Sequence, residues 1–380
     1  MRFTKIHHLF HISKHIFIFL LRNDRIRIKI RIFATKRTTN YKAMKRTNML
    51  LALLCTVWLS TTAQTHFWLG ADISGTTALE AHSQQLYNAA GEPRENTQLM
   101  KELGLNAVRL RVWVNPKEGF CRPDDVLQMA SRAKALGMEV MIDFHYSDWW
   151  ADPGQQNIPV EWKDMNYDEM RQALAEHTRN TLLLLKTNGI DVRWVQVGNE
   201  TTNGFLWPMG RAQENMAQYA GLTQAGYEAV KQVYPEAQVI IHLDQARDPK
   251  RYDFIFDGLR QHGAKWDIIG VSVYPYWDQR EKKEKKDSGT LKHALKNMQR
   301  VVKKYGTPVM VVETGYEVAR PEEGKRFLSK LISECKKMDG QCLGVFYWAP
   351  ELEHHYPLGA FKDGRPTAIM EAFTEASMQE

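Results

Sequence analysis

DVRWVQVGNE, residues 191–200, is an apolar run closed by an amide and a carboxylate, Asn199 and Glu200. Its length and its Trp and Val content are those of a short buried strand. Strands often stop at polar residues without functional reason, so the reading turns on whether this run has companions. It has seven: FWLGADIS (67–74), NAVRLRVWV (106–114), MEVMIDFHY (138–146), AQVIIHLD (237–244), WDIIGVSVYPY (266–276), TPVMVVET (307–314) and CLGVFYWAP (342–350). Between them lie amphipathic stretches such as NTQLMKELG, DDVLQMASRAKALG, YDEMRQALAEHTRNTLLLLKTNG and GKRFLSKLISECKKM, several ending on a glycine as helices do. A last helical stretch near 366–377 follows the eighth run. Strands alternating with helices make parallel βαβ units. Eight of them in roughly 310 residues predict an α/β fold, a single (β/α)8 TIM barrel with its site at the C-terminal face of the strands. An open doubly wound sheet would carry a Gly-rich phosphate turn after a strand, and the sequence has none.

Charge and composition exclude other classes. The chain of 380 residues has a net charge of +7, but residues 1–46 alone contribute about +12, leaving the remainder near −5. The basic balance thus belongs to a leader, and nucleic acid is not an expected partner. From Met44 that leader reads MKRTNMLLALLCTVWLSTTAQ: two basic residues, a short apolar stretch and small residues before a cleavage point after Ala63. This is the order of a secretory signal peptide, too short to span a bilayer. The expected organisation is a basic extension over 1–43, read as a start assigned too far upstream, a signal peptide over 44–63, and one barrel domain over 64–380. The rival reading of 1–43 is a basic arm on a membrane surface. The chain is expected to be exported, periplasmic or extracellular, with no stable membrane insertion after cleavage. Leu53 and Leu54 before Cys55 stand where a lipoprotein signal wants small residues. Cys335 and Cys342 could close a short disulfide loop or, like Cys121, lie buried as small apolar residues. The run REKKEKKDSG (280–289) reads as an exposed loop with solvated charges.

In a barrel, residues two apart on a strand face the same way and the strand ends carry the chemistry. Arg109, Arg111 and Trp113 share a face of the second run. The third ends in Asp143-Phe144-His145-Tyr146 and leads into SDWWADPGQQNIPVEW. The fifth ends in His242-Leu243-Asp244, the sixth in Tyr274-Pro275-Tyr276-Trp277, the seventh in Glu313 and the eighth in Tyr347-Trp348. Glu200 and Glu313 both follow apolar runs, three strands apart on an eight-strand ring. Two carboxyls across a barrel mouth can serve glycoside hydrolysis, one giving a proton to the leaving oxygen and the other attacking the anomeric carbon. Aromatic rings suit the C–H faces of a pyranose. The rival reading of either glutamate alone is an ion-pair partner of Arg109 or Arg111, and the pair together with the aromatics argues against it.

LRVWVNP, DFHYSDWWADPGQQ, VGNETTNGFLWPMG, GVSVYPYW, VVETGY and FYWAP resemble the arabinogalactan endo-β-1,4-galactanases of glycoside hydrolase family 53, in clan A, from about Phe67 to Phe373. The resemblance implies a retaining, endo-acting enzyme on type I (arabino)galactan, with Glu200 as acid/base and Glu313 as nucleophile. It implies that Asn199 holds the sugar hydroxyl beside the anomeric carbon, and that Tyr274 and one of Arg109 and Arg111 orient Glu313 and keep it ionised. His145, Trp150, His242, Asp244 and Trp348 match positions lining the family's cleft. Some bacterial members bind calcium in a long loop after the eighth strand. Here PELEHHYPLGAFKDG is short and lacks closely spaced oxygen ligands, so no cofactor is expected, with calcium left open. The partner implied is the polysaccharide, and the protein is expected to act as a monomer. The alternatives are a clan A enzyme on xylan, mannan or β-glucan, a sugar-binding protein without catalysis, and a metal-dependent barrel hydrolase.

Overall fold

The computed structural model describes residues 66–281, 285–353 and 356–379, so the extension and signal stretch expected over 1–63 lie outside the described residues. Each of the eight apolar runs forms a strand: β1 Trp68–Asp72, β2 Ala107–Val112, β3 Glu139–Phe144, β4 Val192–Val197, β5 Gln238–Leu243, β6 Ile268–Val273, β7 Val309–Thr314 and β8 Cys342–Trp348. The longer helices are α1 Asn96–Glu102, α2 Pro123–Ala135, α3 Tyr167–Thr187, α4 Ala212–Val233, α5 Pro249–Gln261, α6 Asp287–Tyr305, α7 Pro321–Lys336 and α8 Ala368–Ser377, with short helical turns at Thr76–Ala81 and Pro275–Arg280. Consecutive strands pair in parallel and β8 pairs back onto β1, which closes the barrel. Local signals set the helix ends. Asn166 and Glu169 form a capping box on α3, Pro opens α2, α5 and α7, and Gly306 closes α6 at φ +74°.

The apolar residues form two cores. Ala107, Met141, Trp194, Ile240, Ile268, Met310, Val312 and Phe346 fill the barrel interior, while a larger cluster packs the outer strand faces against the helices. Gly70 makes room for this filling, since a Cβ there would lie 2.2 Å from the Phe346 ring. Toward the C-terminal ends the inward positions turn polar, from Ala107 to Arg109 and Arg111, from Trp194 to Gln196, and from Ile240 to His242 and Asp244. The functional floor is therefore built on the apolar plug beneath it.

One irregularity in strand pairing fixes where a carboxyl points. Between β6 and β7 the register runs Val271↔Val311 and then Ser272↔Glu313, so Val312 is an extra residue on β7. This bulge turns Glu313 inward, beside Ser272; strict alternation with Met310 and Val312 would have turned it out.

One expectation is corrected in part, and one pair of alternatives is decided. Asp287–Gly289 of the charged run open α6, and Asp287 accepts hydrogen bonds from Gln279 and Tyr316, both at 2.5 Å, so its charge is pinned at a helix start. Cys121, Cys335 and Cys342 are buried free thiols, with no disulfide between the last two. Two short antiparallel ladders, Leu86–Tyr87 with Pro93–Arg94 and Phe361–Lys362 with Arg365–Pro366, are too brief to leave a periodic signal. Among the described residues no helix is long and apolar enough to cross a membrane.

Candidate active site

Glu200 leaves β4 through Gly198, at φ +85°, and is itself left-handed at φ +44°. A Cβ on residue 198 would lie 2.5 Å from Thr201 Cγ2 and 3.1 Å from the Phe205 ring, so this turn is open only to glycine. It delivers the Glu200 carboxyl to the barrel mouth. A carboxylate oxygen of Glu200 and one of Glu313 lie within 4.8 Å of each other.

Arg109 is fully buried beneath them and serves several carboxylates. Its Nη1 lies 2.7 Å from Asp72, and its Nη2 lies 2.9 Å from both Asp143 and Glu313 Oε1. Nη2 also donates to Asn199 Oδ1 at 2.8 Å. The other Glu313 oxygen accepts from Tyr274 OH at 3.2 Å. Arg109, not Arg111, is therefore the arginine that reaches Glu313. Arg111 is held between Trp113 and Trp150, its guanidinium 4.6 and 4.0 Å from the two rings.

One guanidinium cannot neutralise three buried carboxylates, and the charge balance decides their protonation. Burial pushes the Glu313 carboxyl up to about 7 despite the pull of Arg109, because Asp143 and Asp72 compete for the same cation. Burial raises Glu200 well above the ordinary range, and the neighbouring Glu313 and Asp244 raise it further. Arg109 and Tyr274, the partners expected to keep Glu313 ionised, both pull its carboxyl down against this burial. Glu313 touches a cation and Glu200 touches none, so when the pair holds a single proton it rests on Glu200. That asymmetry divides the pair into an acid and an anion.

The floor is closed by a hydrogen-bond net. His145 contacts Asp143 through Nε2 at 3.0 Å and accepts the Ala151 N–H on Nδ1 at 3.1 Å. Gln196 donates to Asp143 at 2.6 Å and lies 3.1 Å from His242 Nδ1. Burial and the nearby Arg109 hold His242 well below the usual imidazole range, so its ring is neutral. Asn199 spends Oδ1 on Arg109 and donates Nδ2 to Ala151 O at 2.8 Å, which ties the loop after β3 to the site.

Above this floor lies a cavity of about 680 Å³. Trp150, Asn199, Glu200, Asp244, Tyr274, Glu313 and Trp348 line it, together with Trp277 and Tyr356. Trp150 and Trp348 lie 5.6 Å apart, and Trp348 meets Tyr356 at 4.8 Å. Asp244 is locked by Thr202 and Arg251. Of the residues singled out from the sequence, His145 and His242 lie under the cavity, and Arg111 lies behind Trp150. Sequence reasoning passed over Ser272, Gln196 and Asp72, each buried and polar within an apolar strand at an inward position. That pattern is the signal that could have found them, since a buried polar group needs a partner.

Among the described residues, Glu200, His242 and Glu313 form the one group with ligand atoms close enough to share a metal ion. The donor set does not suit one. His242 Nδ1 faces the donors Gln196 Nε2 and Glu200 N–H, and its Nε2 lies against Ser272, so no lone pair is free.

A closed (β/α)8 barrel with two carboxyls this close, under a cavity walled by aromatic rings, defines a glycoside hydrolase of the two-carboxylate kind. The chain belongs to glycosyl hydrolase family 53, whose profile matches residues 68–326. It is 31% identical over 335 residues to a probable arabinogalactan endo-beta-1,4-galactanase A of Aspergillus fumigatus, covering 82% of this chain and 92% of that one. It is 30% identical to an endo-beta-1,4-galactanase of Bacillus subtilis, covering 75% and 70%. A solved fungal beta-1,4-galactanase superposes with a TM-score of 0.74 at 26% identity, over 81% of this chain and 99% of that one.

Proposed function

We propose that the protein is an endo-acting β-1,4-galactanase that hydrolyses type I (arabino)galactan by double displacement. The observation that carries this reading is the carboxyl pair. Retaining glycosidases hold their carboxyls roughly 5–5.5 Å apart and inverting ones about 6.5–9.5 Å; an oxygen of Glu200 within 4.8 Å of one of Glu313 supports the shorter, retaining spacing. In the first step Glu313 attacks the anomeric carbon while Glu200, protonated, releases the leaving oxygen. In the second, Glu200, now a base, activates the water that frees the sugar from Glu313. Arg109 and Tyr274 orient Glu313, and Asn199 offers its amide to the hydroxyl beside the anomeric carbon. Trp150 and Trp348 supply flat faces for the sugar, and Asp244 a hydroxyl acceptor.

The galactan assignment is supported by the activities for which the Aspergillus and Bacillus relatives are named. Export is supported by the signal-like order of residues 44–63. Action as a monomer is supported by a site whose named residues all come from one chain, and action without a metal by His242, whose two ring nitrogens both face hydrogen-bond partners. Incubation of the mature chain with linear β-1,4-galactan, xylan, mannan and β-glucan, with product sizing over time, tests substrate and mode together. Rapid shortening of galactan to intermediate oligosaccharides is expected. Activity confined to another polysaccharide would overturn the galactan reading, and retention without shortening would overturn catalysis.

A further inference from the structure

Ser272 is a buried hydroxyl on β6 that neither displacement step uses. It stands beside Glu313 in register, on the strand next to it, yet its Oγ donates to Glu200 Oε1 at 2.7 Å, reaching across to the end of β4. Behind it, His242 Nε2 lies 2.8 Å from the same Oγ. The direction of this chain can be read from the far side of the imidazole. Gln196 Nε2 at 3.1 Å and the Glu200 backbone N–H at 3.3 Å are both donors facing Nδ1. Asn199 Oδ1 lies 3.0 Å from Nδ1 but already accepts from Arg109. Nδ1 therefore accepts and Nε2 carries the ring proton. His242 donates to Ser272, which leaves the serine hydroxyl proton only one acceptor, Glu200 Oε1.

We infer that Ser272 is a positioning residue for the acid/base step: its hydroxyl, oriented by His242, pins Oε1 of Glu200 and turns the other carboxyl oxygen, with the transferable proton, toward the leaving group. Nothing in the relay is itself transferred to substrate. A carboxyl free to rotate would present either oxygen, and half of its orientations would aim the proton into the floor. The same donor favours the ionised carboxylate that must act as base in the second step.

The inference rests on Glu200 being the acid/base, and leaving-group dependence separates the two claims. A substrate with a very good leaving group, such as a dinitrophenyl β-1,4-galactobioside, needs no proton to depart, whereas galactan does. Ser272→Ala is expected to lower kcat/KM on galactan by about tenfold or more. On the activated substrate kcat/KM should change less than about threefold. The alkaline limb of its galactan pH profile should move up, since a donor to the carboxylate is lost. Ser272→Cys, close in size and a weaker donor, should fall between the two. Glu200→Ala is the reference for the pattern. If it spares the activated substrate while Ser272→Ala depresses both substrates equally, or neither, the positioning role is overturned and the acid/base reading stands. A downward shift of the alkaline limb would reverse the relay and also overturn it. If Glu200→Ala itself depresses both substrates alike, the fault lies with the acid/base reading. Thermal unfolding of Ser272→Ala and Ser272→Cys, within a few degrees of wild type, establishes that the effects are not loss of fold.

Discussion

Two carboxyls of one residue type do different work because their nearest neighbours differ. Glu313 sits 2.9 Å from Arg109 and accepts from Tyr274, while Glu200 has only the Ser272 hydroxyl and the backbone around it. Glu200→Gln and Glu313→Gln should each fold and lose galactan hydrolysis by roughly 10³-fold or more, measured as kcat/KM. Near-normal activity of either would remove that residue from its role. Arg109→Met leaves Asp72, Asp143 and Glu313 buried without a cation, which costs about 3–5 kcal/mol of stability by denaturant titration. The same change should move the acid limb of activity to higher pH, because Glu313 then gains its proton more readily. Arg111→Met, which removes no carboxylate partner, should leave that limb in place. The sequence made Glu200, Glu313, Asn199 and Tyr274 legible because each ends an apolar run. It could not choose between Arg109 and Arg111, which share a strand face; two positions along the strand decide whether the guanidinium meets Glu313 or lies between Trp113 and Trp150.

At the level of elements, the site depends on two breaks in regular geometry. One is the left-handed turn at Gly198 after β4, and the other is the extra residue on β7 that turns Glu313 inward. Gly198→Ala forces a Cβ against Thr201 and Phe205 at a positive φ, a strain of roughly 1–2 kcal/mol before the clash is counted. The expected result is a folded protein with galactan turnover reduced at least tenfold, since Glu200 lies two residues on. A variant with wild-type rates would mean that the turn does not set the carboxyl. Gly198 was visible in the sequence. The bulge was not, because VMVV, the run up to Glu313, contains no glycine or polar residue to mark where alternation fails, and only pairing with β6 creates it. The opening of α6 at Asp287 was likewise hidden by the run of lysines around it, because its N-cap is Lys286, which makes no side-chain cap.

For the whole molecule, the barrel was legible because its inner and outer faces are both buried, so every strand reads as a continuous apolar run between amphipathic helices. The cost of the site at this scale appears as pH dependence. Glu200, Glu313 and Glu351 keep their protons in the folded chain at pH values where carboxyls of the unfolded chain, near 4.5, have lost them. These three carboxyls take up protons on folding over that range, so their contribution to stability is fully present below about pH 4.5 and is lost as pH rises through the folded-state values. Glu351 shows this apart from catalysis. Burial pushes it up to about 8, against the weaker pull of its own backbone N–H and the Asn96 amide. Glu351→Gln should keep galactan hydrolysis while its thermal midpoint rises above wild type, a gain that starts above pH 4.5 and levels off beyond about pH 8. Glu200→Gln should gain stability with the same sign while losing activity, as expected of a residue held charged against its surroundings for function. No gain at pH 8 in either variant would contradict this charge balance. The claim that joins all three scales is that Glu200 and Glu313 cooperate through two inversions at one anomeric carbon. Proton NMR of the reducing ends first formed during galactan hydrolysis reads this directly: the β anomer should appear first and mutarotate to α, and α appearing first would contradict the account.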